Sequence, residues 1–324
     1  MQRTGAIFFA AMLLASAPHA WAQSTYPNRT IHIVVPSAAG GTTDIVARAV
    51  AQVLTQPLGV SVIVEQRVGG NTNIGSASVA RAAPDGYTLL VNTDTLTSNA
   101  SVYRDAGYDP VTSFSPVTML TRAPGALAVR KDLGAATIDD FVALAKAKGR
   151  NLTVASTGTG TVSHLTGLMF RQRMGLPAWT DVPYQGAAKA VTDLLGGHVD
   201  AIFSTVVPLV PHADEGHLKL LAVTSKVRSK AAPNVPTVAE RTALKDFDVT
   251  NWLALLAPAG TPQPIVDKLA AATAAALKDP EVVRKFALLG MEAAGEGPQP
   301  LAETLRASTA QWREVVREAG LKLN

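Results

Sequence analysis

Three short stretches carry residues able to handle a small charged molecule. In residues 37–44, SAAGGTTD, small side chains and two glycines lead into Thr42, Thr43 and Asp44, whose oxygens can cap a helix. In residues 156–163, STGTGTVS, the hydroxyls of Ser156, Thr157, Thr159, Thr161 and Ser163 accompany Gly158 and Gly160. Hydroxyls donate to carboxylate oxygens, and glycine lets the main chain approach closely. Ser204 and Thr205 close a third, apolar run, AIFST. The chemistry this favours is anion binding. Main-chain N–H groups at a helix start have no partner inside the helix and together carry about half a positive charge. Such a site needs no Lys or Arg.

Other chemistries fit less well. The Gly40-Gly41 loop is neither G-x-G-x-x-G nor a P-loop ending in Gly-Lys-Ser/Thr, which disfavours a nucleotide. Ser163 and His164 are neighbours on a helix and do not face each other, and no G-x-S-x-G elbow is present, so catalysis is not expected. His212, Asp214, Glu215 and His217 surround Gly216 and read as a polar turn rather than a metal site. No metal or other cofactor is expected. Cysteine is absent, which removes disulfides and thiol nucleophiles. Trp252, Tyr184 and Phe203 suit core packing better than ligand contact. Lys189 reads as a solvated helix position.

These stretches need elements to hold them. Residues 31–35 form a β-favouring apolar run that Pro36 ends, having no N–H for a ladder. Helical spacing follows from Ile45 to Leu54. Residues 60–64 and 87–91 read as strands, with a short helix over 74–83 between them and a Pro84-Asp85-Gly86 turn. Residues 92–98 read as a polar loop, and 117–120 and 125–129 as crossing strands. A helix over 137–148 begins at Thr137. The opening pattern then returns: a strand at 152–155, the glycine/threonine loop, and a helix that Ser163 can cap. Further strands are expected at 182–184, 199–203, 218–223 and 249–256, and helices over 186–195, 262–277, 280–289 and 300–318. Two strand–loop–helix units about 115 residues apart predict an α/β fold of two lobes, each with a mostly parallel sheet flanked by helices. Lobe 1 is expected to be discontinuous, residues 24–121 plus 250–324, and lobe 2 residues 122–249.

Residues 1–22 read as a secretory signal peptide, with Arg3, an apolar run and Ala20-Trp21-Ala22, and cleavage is expected before Gln23. Hydrophobic residues make up 47% of the 324, enough to build the cores of an exported protein without disulfides. The net charge is +4 and the Lys and Arg residues are scattered, so nucleic acid is not an expected partner.

Five motifs in order resemble one family: VVPSAAGGTTDIVAR, APDGYTLL, STGTGTVSHL, VPYQGAAKAVTDLLGGHVD and LLAPAGTP. They are similar to the periplasmic substrate-binding receptors of tripartite tricarboxylate transporters, the Bug receptors, over essentially the whole mature chain. The resemblance implies a Venus flytrap with an interlobe cleft and an organic acid ligand. It implies integral-membrane transporter subunits as partners, and a monomeric periplasmic receptor is expected. Carried over by motif, the ligand-binding residues are Ala39, Gly40, Gly41 and Thr42 in the first loop, with Asp44 structural. They are Ser156, Thr157, Gly158 and Ser163 in the second, then Tyr184, Gly186 and Ser204. Ser37, Lys189, Ser204-Thr205 and the NTNIG loop depart from the family pattern around the cleft. Besides a transport receptor, the same cleft would serve a sensor presenting its ligand to a membrane signalling protein. An exported hydrolase using Ser163 is the third reading.

Overall fold

The computed structural model describes residues 26–322, so the expected signal peptide at 1–22 lies outside the described residues. In chain order the elements are β1 (Ile31–Val35), α1 (Thr42–Leu58), β2 (Val62–Gln66), α2 (Asn73–Ala80), β3 (Thr88–Thr93), α3 (Thr95–Val102) and β4 (Phe114–Arg130). Then come α4 (Ile138–Lys148), β5 (Thr153–Ser156), α5 (Val162–Arg173), β6 (Thr180–Pro183), α6 (Ala187–Leu195), β7 (Ala201–Thr205), α7 (Val210–Asp214) and β8 (Leu218–Val223). The chain ends with α8 (Val238–Arg241), β9 (Thr250–Pro258), α9 (Gln263–Ala276), α10 (Pro280–Leu288), β10 (Glu292–Glu296) and α11 (Pro298–Ala319). No helix among the described residues is long and apolar enough to cross a membrane.

The strands run in the order β2-β1-β3-β9-β4-β7-β5-β6, with β8 and β10 also paired to β4. β1 is parallel to β2 and β3, and β5 is parallel to β6 and β7. The two halves therefore repeat one plan, a central strand with its successors on either side. β4 joins them. Its residues 114–124 pair antiparallel with β9, and its residues 125–129 pair with β7. The change of partner falls at Pro124-Gly125, where proline has no N–H to offer a ladder.

Sequence patterning had suggested two strands where β4 is one, because Pro124 and Gly125 interrupt the apolar run. Residues 92–98, expected as a loop, instead finish β3 at Thr93 and open α3 at Thr95. The helix survives its polar sequence because its buried polar side chains are bonded: Thr97 Oγ1 donates to Asp94 O at 2.9 Å, and Asn99 Nδ2 donates to Asn73 Oδ1 at 2.9 Å. The capping of both glycine-loop helices also differs from expectation. α1 is capped by Gly41 with no side-chain bond, and α5 by Thr161, whose hydroxyl accepts from His164 N. α4 begins as expected, with a capping box between Thr137 and Asp140.

One core lies between β1, β3, α1, α9 and α10. Another gathers Phe141, Phe170, Trp179, Phe203 and Phe247 around β5, β7 and α5, with Phe170 and Phe203 ring centroids 5.8 Å apart. α11 serves both halves. Leu301 and Leu305 pack with β9 residues, while Trp312, Val315 and Val316 join the Phe170 core.

Candidate binding site at the strand crossing

The parallel strands fix where a ligand can sit. In open α/β sheets the crevice lies beyond the carboxyl ends of strands, where successive connections leave in opposite directions. Here those points fall between β1 and β3, and between β5 and β7. The registers aim both at the same segment. Thr93 at the end of β3 pairs with Leu253, Trp252 pairs with Arg122, and Thr205 at the end of β7 pairs with Gly125.

On the β5/β7 side a cavity of about 70 Å³ is formed. That is room for a small polar group with water. Thr157 and Ser163 line it from the loop and start of α5, Ala187 from the start of α6, and Phe203, Ser204 and Thr205 from β7. Gly125, Thr224 and Asn251 close it from the crossing segments. The described lining holds hydroxyls, main chain and one amide but no ionisable side chain. An anion here would be held by neutral donors and two helix starts.

The loop's bonds show which hydroxyls are committed. Ser163 Oγ accepts from Thr157 N at 3.1 Å and donates to the Phe203 carbonyl. Its proton is therefore used inside the fold. Thr161 Oγ1 donates to Gly158 O at 2.7 Å. Tyr184 N donates to Ser156 O at 3.0 Å and Gly186 N to Thr157 O at 3.3 Å, so the VPY-Q-G segment braces the loop from behind. The Tyr184 hydroxyl donates to Asp193 Oδ2 at 2.6 Å; burial, then Asp193, pushes its pKa up to about 12. His164 Nδ1 accepts from Gly160 N at 3.1 Å, and burial lowers its pKa. Ser163 and His164 thus bond to different partners and form no nucleophile–base pair.

The other expected loop is arranged differently. Ala39, Gly40 and Thr42 are exposed, Gly41 is half-buried, and none of the four lines the cavity. Gly40 adopts φ +78°, a left-handed turn that lets its N–H reach back to Asp44 Oδ2 at 2.9 Å. Asp44 is buried and also accepts from Arg48 Nε at 3.0 Å and Gln66 Nε2 at 2.5 Å. Burial pushes its carboxyl upward, but the Gly40 N–H, Arg48 and Gln66 outweigh this and hold it below the usual range. A carboxylate therefore sits in the first turn of α1 and offsets part of that helix's positive end.

Among the described residues, the buried side-chain polar atoms without a partner are Ser37 Oγ, Asp94 Oδ2, Ser156 Oγ, Ser204 Oγ and Trp312 Nε1. Buried polar atoms are normally bonded. Four of these lie at the carboxyl ends of the strands flanking the two switch points: after β1, after β3, at the end of β5 and in β7. Burial raises the Asp94 carboxyl to about 7, so near neutrality it is in part a protonated donor. Asp94, Gly125, Thr224 and Asn251 were not singled out from sequence. Thr224 and Asn251 reach the cavity only because β4 crosses between the halves. Lys189 is exposed on α6, whereas Thr205 lines the cavity.

Residues 46–321 match the model of the tripartite tricarboxylate transporter family receptor, and the chain belongs to that family. The fold is similar to that of the periplasmic binding protein BugD, at 36% identity and TM-score 0.72 over 92% of this chain and 99% of that one. MatC of Rhodopseudomonas palustris, solved with bound malate, is 34% identical with TM-score 0.72 over 90% of this chain and all of that one. Rpa4515 of R. palustris, solved with adipate, is 33% identical with TM-score 0.74 over 92% and 99%.

Proposed function

We propose that this protein is a periplasmic receptor that captures a small organic acid between two lobes and delivers it to a tripartite tricarboxylate-type membrane transporter. The lobes are residues 24–121 with 250–324, and residues 122–249. The observation that carries this reading is the set of buried, unpartnered polar atoms of Ser37, Asp94, Ser156 and Ser204 flanking both switch points. One carboxylate of the ligand enters the cavity and accepts from Ser156, Ser204 and the first-turn N–H groups of α5 and α6. Thr157 and Gly158 shape its mouth, while Ser163, Tyr184 and Gly186 hold the loop in place. The Ala39–Gly40–Gly41–Thr42 turn covers the outer end of the ligand when the lobes close. Closure excludes water and strengthens each of these bonds, worth about 1.5–3 kcal/mol apiece when the acceptor is charged.

Malate and adipate, bound by relatives of similar sequence, are both dicarboxylic acids, which supports an acid of that size. The ligand is bound and released unchanged, and the separate bonding of Ser163 and His164 supports a role without chemistry. The receptor acts as a monomer, exported by residues 1–22. Native mass spectrometry of freshly purified protein, followed by thermal shifts with mono-, di- and tricarboxylates, tests the reading. An acid at a hundred times its Kd should add about 2.7 kcal/mol of stability and be recovered intact. A broad acid panel that leaves the melting temperature unmoved at millimolar concentration would refute it.

A further inference from the structure

Outside the cleft, a second set of side chains converges. His212 lies in α7, Glu215 caps its carboxyl end, and His217 follows Gly216. His217 N donates to His212 O at 2.8 Å, and Gly216 N donates to Ala213 O at 3.0 Å. Gly216 holds φ +72°. These two bonds and the left-handed glycine define a Schellman ending, which brings the side chain two positions past the cap against the one at the start of the last turn. That pair is commonly apolar. Here both positions are imidazoles, and a carboxylate stands between them at the cap.

The outcome is a ligand set. One donor atom from each of His212, Glu215 and His217 lies within 4.8 Å of the others. His217 Nδ1 and Glu215 Oε2 are 3.2 Å apart, near the roughly 3.3 Å that donors about 2.0–2.1 Å from one tetrahedral ion must keep. A rotation of the His212 ring, whose donor atom already lies within 4.8 Å of the other two, brings in the third. The histidine spacing alone had read as a polar turn; the closed helix ending is what places the rings together.

We infer that His212, Glu215 and His217 form a surface site for a divalent transition cation of the zinc type. Two imidazoles and one carboxylate suit Zn²⁺, Ni²⁺ or Cu²⁺ rather than Mg²⁺ or Ca²⁺, and the exposed fourth position is left for water. The set does not line the ligand cavity, so it is a separate site.

Untagged protein stripped with chelator and titrated with Zn²⁺ by calorimetry tests this, and the cysteine-free chain leaves no thiol to compete. One Zn²⁺ per chain is expected. H212A and H217A should each weaken binding by about tenfold or more, and E215Q by less, with melting temperature in the absence of metal unchanged. H198A is the control and should bind as the parent does. No saturable Zn²⁺ binding, or equal binding by H212A and H217A, overturns the assignment. Mg²⁺ competing as well as Zn²⁺ would overturn the cation class.

Discussion

The two strand–glycine loop–helix units share a plan, yet they treat the space above the loop in opposite ways. After β1 the turn is exposed, and its Gly40 N–H is bonded to a carboxylate of its own, Asp44. After β5 the loop is braced by Thr161, Ser163 and the VPY-Q-G segment, Ser156 and Ser204 keep unpartnered hydroxyls, and Ser204 lines the cavity. The first entrance spends its N–H on its own carboxylate and keeps only Ser37 Oγ unpartnered; the second keeps two hydroxyls open. A glycine-rich helix start does not by itself make an anion site. What the rest of the fold aims at it decides how much charge it can accept.

Substitutions at each entrance separate their roles. The largest effect is expected from Gly125→Val. A Cβ at Gly125 would lie 2.6 Å from Thr224 Oγ1 and 3.7 Å from Asn251 Nδ2, so valine fills the cavity. Acid affinity measured by calorimetry should fall about a hundredfold, or about 2.7 kcal/mol. Unchanged affinity would mean that the β1 side holds the ligand alone.

Asp44→Asn comes next and acts on the other entrance. Even discounting the half-exposed Arg48 pair, loss of the charged acceptor for Gly40 N–H and Gln66 should lower stability by about 1–2 kcal/mol at pH 7. The folded pKa of Asp44 is depressed, so its contribution is present above the unfolded value near 4 and is lost as pH falls through the lower folded value. Denaturation curves of parent and variant should therefore converge in acid. Acid affinity should rise about two- to threefold, because a negative charge leaves the first turn of α1.

Ser204→Ala should reduce affinity about tenfold without lowering the melting temperature, because the hydroxyl removed bonds to nothing in the protein. A clear loss of stability would instead mark that hydroxyl as structural. The smallest effect is assigned to Thr42→Ala, at an exposed position, with affinity changed less than about threefold in the same titration.

Much of the architecture was legible because its signals are local. Ile31, Ile33, Val34 and Val35 before Pro36 declare a buried strand, and Thr137 with Asp140 declares a helix start. The features missed depend on contacts between distant residues. α3 looks polar because its partners, Asn71 and Asn73, lie more than twenty residues away and bond to Asn99. β10, EAAGE, has no apolar alternation and exists because β4 offers it an edge. The site divides the same way. Ser156 and Ser204 could be read as strand ends rich in hydroxyls, whereas Gly125, Thr224 and Asn251 meet only because the chain crosses between halves in β4 and returns in β9. Asp94 gave no local sign of being buried.

The longest helix among the described elements ties the two halves together. The first half of α11 is anchored through Leu301 and Leu305 to one side, and its far half is embedded through Trp312, Val315 and Val316 in the aromatic cluster of the other. Gln172 Nε2 also grips the Val315 carbonyl at 3.2 Å. A rotation of one half against the other about Pro124-Gly125 would have to flex this rod or peel its tail away and wet an indole. The coupling of the two halves thus resides far from the cavity, in the last turns of α11.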